Sequence, residues 1–184
     1  MRIQSVARLL IATGLFVSGT SVATAAAAVE QETGTAQWHP QKAEFTYTGF
    51  TALYTCDGLE DKVRDILLTF GAQKGVKVHA RGCSDGRNRP SKFAWVTAEF
   101  SSLATATDPA AADAVKAVWS KVQLAPNRPF FMGSGECELV EQMRDVLQKG
   151  FTLRNIEYRT SCVPHQISVA DYAVAAEVLK AAIH

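Results

Sequence analysis

Two segments of this chain are similar to each other and lie 80 residues apart. Leu59 to Leu67 reads LEDKVRDIL, and Leu139 to Leu147 reads LVEQMRDVL. Leu, Arg, Asp and Leu are identical between them, and Val/Met and Ile/Val are conservative pairs. One cysteine precedes each segment and another follows it, with a spacing of 27 residues in the first copy and 25 in the second. Two copies of one structural unit explain this pattern better than chance.

Each segment has the apolar spacing of a helix that buries one face. Asp57 and Gly58 favour a helix start in the first copy, and Gly71 favours its end. Gly150 is the matching terminator in the second copy. The two apolar stripes are Leu59, Val63, Ile66, Leu67 and Phe70, and Leu139, Val140, Met143, Val146 and Leu147.

An extended segment rich in β-branched and aromatic residues follows each helix, at 76–82 and 152–161. A helix of about 14 residues is roughly 21 Å long, and a returning strand of about 7 residues spans roughly 23 Å. Helix start and strand end therefore meet. Of the three possible connectivities, this geometry selects Cys56–Cys83 and Cys137–Cys162.

The position of Cys83 sets a condition on this pairing. Cys83 shares strand parity with Lys77, His79 and Arg81, whereas the alternate residues should face the helix. The strand must therefore end before Cys83 or contain a bulge at Gly82.

The remaining pattern extends both copies to β-α-β-β and predicts an α+β fold, a mostly antiparallel sheet with the helices on one face. We expect a signal peptide (1–28), a mobile leader (29–42) and one domain (43–184) built of repeats at about 43–108 and 109–184. The further predicted elements are strands at 43–55, 92–103, 118–124 and 166–178, with a helix as the alternative for 173–182, and a short linking helix at 109–117 opened by Asp108.

The first 28 residues have the layout of a secretory signal peptide. Arg2 and Arg8 are followed by an apolar run too short to span a membrane, and small residues allow cleavage after Ala25 or Ala28. Four cysteines beyond this segment, an even number, favour disulfides in an oxidising compartment. We therefore expect a periplasmic or secreted protein with no transmembrane segment in its mature form.

The charge balance argues against a nucleic-acid partner. The chain has 19 Lys and Arg against 18 Asp and Glu, and removal of the signal leaves 17 against 18. A near-neutral surface does not attract polyanions in bulk.

The segments YTCDGLEDKVRDILL (54–68), VHARGC (78–83), CELVEQMRDVL (137–147) and CVPH (162–165) carry a resemblance to a known family. Together they resemble a family of small exported bacterial proteins with two Cys-anchored repeats, whose function is uncharacterised. The resemblance implies export and paired cysteines, and it implies no activity, substrate or catalytic residue.

A basic cluster is the most suggestive candidate site for an anionic ligand. Three of its members share one face of a strand and three lie in the following turn: Lys77, His79 and Arg81, then Arg87, Arg89 and Lys92. Such a cluster could bind phosphate groups, lipid headgroups or polyanions. The alternative is a solvated hairpin whose cations keep a sheet edge from pairing with other chains.

The aromatic residues divide between core and surface. Phe93 and Trp95 share a strand face, and we expect them to pack under a helix. Phe130 and Phe131 lie in a Pro/Gly-rich loop, where exposure would indicate contact with a partner.

No motif in the sequence indicates a catalytic site, a metal or a cofactor. Cys162 and His165 have a spacing that metal sites use, but a structural disulfide explains the cysteine better. Gly133-Ser134-Gly135 before a helix is similar to an anion-binding turn, although it lacks the other residues of a phosphate loop.

Three functional hypotheses follow. The first is a non-enzymatic exported binding or scaffold module. The second is a small periplasmic hydrolase, or a thiol or metal enzyme, with dispersed residues, which requires His79 or His165 in a pocket beside an acid. The third is a partner of an envelope protein that uses an unpaired strand edge or the Phe130-Phe131 pair.

Overall fold

The computed structural model describes residues 33–84, 89–163 and 171–182, and these described residues belong to one compact unit. The predicted signal peptide lies outside the described residues. The elements, in chain order, are β1 (Thr33–Thr48), α1 (Cys56–Thr69), β2 (Lys77–Arg81), β3 (Phe93–Thr105), β4 (Val115–Leu124), α2 (Cys137–Gly150), β5 (Leu153–Thr160) and β6 (Tyr172–Ala181).

The six strands form one antiparallel sheet in the order β2-β3-β1-β4-β6-β5. The predicted α+β class is confirmed. Each half of the described chain has the element order strand, helix, strand, strand. Strands β1 and β4 lie side by side at the centre, so the strand order of the first half is reversed in the second.

Both helices bury the predicted stripes in one core. The strand residues of this core have a single parity in each central strand, for example Ala94, Val96 and Ala98 in β3. Because successive residues of a strand point to opposite faces, both helices cover the same face of the sheet. We call the other side the open face.

The two predicted disulfides are present. Cys56 and Cys83 are joined with a Cα–Cα distance of 5.3 Å, and Cys137 and Cys162 with one of 5.7 Å. Strand β2 ends at Arg81, and Gly82 has φ +81°, a backbone conformation that favours glycine. The turn at Gly82 frees Cys83 from strand parity, which meets the condition set by the sequence.

The prediction of a mobile leader over 29–42 is wrong for residues 33–42, which are the first ten residues of β1. This segment lacks an obvious apolar period because its partners are other strands: residues 33–36 pair with β4, and 36–48 pair with β3. The strand predicted at 43–55 therefore begins earlier and ends at Thr48.

The linking helix predicted at 109–117 is also wrong. Asp108 accepts a hydrogen bond from the backbone N–H of Ala110 at 2.9 Å, as a cap would, but a turn follows and β4 begins at Val115. A helix this short needs tertiary packing to form. For 173–182, where strand and helix were both open, the structure has strand to Ala181.

Candidate functional site

The predicted basic residues of β2 lie together on the open face. Lys77, His79 and Arg81 are exposed, while the alternate residues Val78 and Ala80 face the helices. Strand parity therefore separates three cations from the core. Within the described chain none of these three side chains forms an ion pair.

The prediction that Phe93 and Trp95 pack under a helix is wrong. Phe93 is 56% exposed and Trp95 is 45% exposed, and both lie on the open face. The helix-facing positions of β3 hold Ala94, Val96 and Ala98 instead. Alternation in the sequence defines two faces of a strand but does not show which one a helix covers.

Cations and aromatic rings are adjacent on this face. Arg81 lies opposite Trp95 in the β2–β3 register, and its guanidinium is 5.8 Å from the centre of the indole ring. A cation over an indole face is attracted to it. We call the five residues Lys77, His79, Arg81, Phe93 and Trp95 the open-face cluster.

The turn residues of the predicted basic cluster do not all join this group. Lys92 has its ammonium 4.8 Å from the centre of the Phe50 ring. Arg89 borders a small depression beside the Cys56–Cys83 disulfide. Arg87 lies outside the described residues. Among the predicted cations that the structure describes, the three of β2 share one strand face.

Acidic side chains limit the positive charge of the cluster at one end. Glu99 lies between Lys77 of β2 and Lys42 of β1 in the sheet register. At the other end, the row of Arg81, Trp95 and Thr46 contains no acid. Within the open-face cluster, Arg81 is therefore the cation whose row of the sheet holds no acid.

The second half of the open face has a similar pair in a different state. The Arg154 guanidinium lies 4.2 Å from the centre of the Trp119 ring, but its Nε also donates to Glu177 Oε2 at 2.6 Å. The hydrogen bond from Arg154 holds the pKa of the Glu177 carboxyl below its usual range. This arginine is already neutralised, whereas Arg81 is not.

The loop pair Phe130-Phe131 is divided. Phe130 is 91% exposed, and Phe131 is packed against the core with the Lys62 ammonium 5.4 Å from its ring centre. Only Phe130 is available as a surface contact.

A buried polar cluster has no counterpart in the sequence analysis. Glu136 accepts an ion-pair contact from Lys62 Nζ at 2.7 Å. Burial, together with neighbouring glutamate charge, raises the pKa of Tyr47, Tyr54 and Tyr172 well above the usual tyrosine range. Lys62, Glu136 and the three tyrosines are far apart in the sequence, so no local motif indicates this cluster.

The turn Gly133-Ser134-Gly135, whose sequence is similar to an anion-binding turn, contacts a carboxylate of the same chain. The N–H of Gly133 donates to Glu136 Oε2 at 2.9 Å. This turn therefore binds an acidic side chain of its own chain.

The enzyme hypothesis requires a histidine beside an acid, and His79 does not have one. It lies opposite Thr97 in the sheet and contacts no described carboxylate. His165 lies outside the described residues. All four cysteines are in disulfides, and no group of three or more potential metal ligands occurs among the residues that the structure describes.

No protein-family model, curated protein or solved structure matches this chain. Among the described helices, neither has the length and apolar character needed to cross a membrane.

Proposed function

We propose that this protein is an exported, non-enzymatic binding module that recognises phosphate-bearing headgroups through its open-face cluster. The observation that carries the proposal is the exposure of Phe93 and Trp95 beside Arg81, which forms no ion pair within the described chain. Neighbouring exposed apolar side chains that are rimmed by polar residues are typical of an interaction surface.

Export is supported by the disulfides and by the amino-terminal pattern. Disulfides persist in oxidising compartments, and all four cysteines of this chain are joined in two disulfides. The segment with Arg2, Arg8 and the small residues before Ala25 or Ala28 has the layout that directs secretion. The resemblance to small exported proteins is consistent with this location.

A tandem duplication, with repeats at about 43–108 and 109–184, is part of the proposal. Each half has the same element order and one disulfide of similar span. The buried stripe residues Leu59 and Leu67 correspond to Leu139 and Leu147 at a constant shift. After duplication the halves would have diverged: Arg81 forms no ion pair in the first half of the open face, while Arg154 is paired with Glu177 in the second half.

The chemistry of the cluster fits a headgroup layer. Tryptophan is favoured where an apolar ring meets a wet, polar region. Each lysine or arginine near an anionic lipid surface contributes about 1 kcal/mol of attraction. A flat sheet face with two rings and three basic residues offers both contributions without a deep pocket.

The test measures binding of the full exported chain to vesicles of phosphatidylglycerol and of phosphatidylcholine. The double variant K77A/R81A should bind phosphatidylglycerol about 30-fold more weakly, because two contributions of about 1 kcal/mol each are lost. The matched control R144A/K149A removes two cations from exposed positions of α2, on the other side of the sheet, and should bind as the parent does.

Inorganic polyphosphate distinguishes a lipid surface from a soluble ligand. Displacement of vesicles by polyphosphate, with K77A/R81A weakened toward both, supports recognition of the phosphate group itself. Equal binding to the two lipids, or equal losses in K77A/R81A and R144A/K149A, would overturn the proposal.

A further inference from the structure

Strand β1 is paired along only one side for most of its length. Its register with β3 runs from Ala36 to Thr48, but its register with β4 ends where Ala36 meets Val115. From residue 37 onward, the side of β1 away from β3 has no strand beside it in the described chain.

Two backbone hydrogen bonds show which residues of β1 direct their backbone groups to this unpaired edge. Gly49 N donates to Lys92 O at 2.8 Å, and Ala106 N donates to Thr35 O at 3.0 Å. These bonds belong to the β1–β3 ladder, so the odd-numbered residues of β1 bond to β3. The even-numbered residues direct their N–H and C=O groups the other way.

Helix α2 already supplies one strand-like rung on this side. The Gln142 side chain accepts from Thr48 N at 2.8 Å and donates to Thr48 O at 2.8 Å. This donor and acceptor pair imitates the two bonds of a neighbouring strand. Beyond it, the backbone groups of Lys42, Glu44 and Thr46 bond to no other described residue.

A groove of about 580 Å³ follows the unpaired edge, between β1 and α2. Phe45, Phe100 and Val146 provide apolar surface in it, and charged side chains of α2 such as Glu141 and Lys149 line it as well. The helix from residue 141 to 150 is roughly 14 Å long, which corresponds to about four residues of extended chain.

The two outer edges of the sheet, β2 and β5, are less open to a strand. On β2, the outward N–H of Ala80 donates to Glu60 Oε1 at 2.8 Å. On β5, the register shifts between Arg154 and Glu157, and Asn155 has φ +52°. A capped amide and a bulge both discourage strand addition.

We propose that the β1 edge over residues 42–46 binds an extended peptide of a partner protein by strand addition. Free N–H and C=O groups at alternate residues are what another strand's backbone recognises. A second copy of this chain is a poor occupant, because it would bring its own α2 into the space that α2 fills beside the edge. A single extended segment fits between the two.

The groove also defines the partner's side chains. In an added strand, alternate side chains would point toward Phe45, Phe100 and Val146, which favours apolar residues there. The others would lie on the open face beside Lys42 and Glu44, where opposite charge is favoured. The proposal does not depend on the open-face cluster, whose cations lie on β2.

The first test is amide hydrogen exchange of the full chain, without any partner. The amides of Lys42, Glu44 and Thr46 should exchange much faster than those of Ala43 and Phe45, which bond to β3. Protection of all these amides in the monomer would show that another part of the chain occupies the edge, and would overturn the proposal. Protection of these amides that appears only at protein concentrations where light scattering reports a dimer would overturn the proposal as well.

The second test uses decapeptides selected from a random displayed library on the full chain. Glu44→Pro removes one outward N–H, and Pro40 shows that β1 accepts proline at such a position. Glu44→Ala is the matched control, since it keeps the N–H. We expect Glu44→Pro to weaken peptide binding by about tenfold or more, whereas Glu44→Ala loses only an exposed charge contact and should weaken it by about threefold or less.

Amide exchange of Lys42 and Thr46 on peptide binding gives a readout that does not depend on any variant's folding. Both amides should become protected. Failure to select any peptide, equal affinity of both Glu44 variants, or protection elsewhere without change at Lys42 and Thr46 would overturn the proposal.

Discussion

The hydroxyl of Tyr47 donates a 2.5 Å hydrogen bond to the backbone oxygen of Ala52. The bond spans the loop between β1 and α1 and passes over Gly49, where any side chain would collide with the phenol. The ring of Tyr47 packs edge-on against Tyr54, with ring centres 5.3 Å apart. The loop is therefore held by a buried phenol that must stay protonated.

The buried tyrosines predict a loss of stability at alkaline pH. Burial raises the pKa of Tyr47, Tyr54 and Tyr172 above the unfolded value of 10.0. A raised acid pKa gives stability that is complete below pH 10 and is lost as the pH rises toward the folded value. Each such group costs about 1.4 kcal/mol per pH unit above 10. Lys180 acts in the opposite direction, since burial lowers its pKa, but this effect ends near pH 10.5.

Spectrophotometric titration of the phenols checks this prediction. In the native protein, tyrosinate absorbance should rise late and together with loss of near-ultraviolet circular dichroism. In guanidinium chloride all four tyrosines should titrate near pH 10. Early titration of several tyrosines in a protein that stays folded would contradict it.

Glu138 is expected to be important for stability. Its Oε2 accepts from Phe50 N at 2.8 Å and from Thr51 N at 3.0 Å, so the side chain connects the start of α2 to the loop after β1. Glu138→Ala should lower the free energy of unfolding by about 2 to 3 kcal/mol. Glu138→Gln keeps an acceptor oxygen and should lose less.

Urea unfolding measures this difference. The exposed Glu157 is the control, because Glu157→Ala should change stability by less than about 0.5 kcal/mol. Equal stabilities of Glu138→Ala and Glu157→Ala would rule out a bridging role for Glu138.

The close approach of α2 to the sheet predicts the effect of a single methyl group. A Cβ at Gly150 would lie 2.8 Å from Phe100 Cζ, and that ring is stacked on Phe151 at 5.2 Å. Gly150→Ala should destabilise the fold by about 1 to 3 kcal/mol through overpacking, although alanine is the better helix former. Gly34→Ala has open space around it and serves as the control in thermal unfolding. A gain in stability from Gly150→Ala would contradict the packing.

Each disulfide is expected to contribute a similar amount. They close loops with sequence separations of 27 and 25 residues. The double variants C56S/C83S and C137S/C162S should each lose about 3 kcal/mol, since loop entropy depends only weakly on length. Urea midpoints under oxidising conditions test this, and an unchanged midpoint in either variant would argue against its contribution.

Local signals in the sequence were sufficient for the helices, for most strands and for the disulfides. The stripes from Leu59 and Leu139 fix which helix faces are buried, and simple lengths then bring Cys56 to Cys83. Such inferences succeed because the interactions lie within one strand–helix–strand unit.

Longer-range features could not be read in this way. Residues 33–42 form a strand because β3 and β4 lie beside them. The linker after Asp108 forms turns before β4, although its sequence favours a helix start. The cluster of Glu136 with Lys62 and the tyrosines unites distant segments. Which face of β3 the helices cover is likewise decided by tertiary packing. For this reason the expectation that Phe93 and Trp95 pack under a helix is wrong.

The exposure of Phe93 and Trp95 leads to the last prediction. Side chains that keep about half of their surface in water contribute little to folding, so F93S/W95S should lower the free energy of unfolding by less than about 1 kcal/mol per residue. Phe100, buried and stacked on Phe151, should cost about 3 to 5 kcal/mol on truncation to alanine. Urea unfolding compares the two directly. A small loss of unfolding free energy in F93S/W95S, together with lost binding to phosphatidylglycerol vesicles, would show that the two rings act in recognition rather than in folding. A loss of unfolding free energy as large as that of Phe100→Ala would show that both rings belong to the core and not to the binding surface.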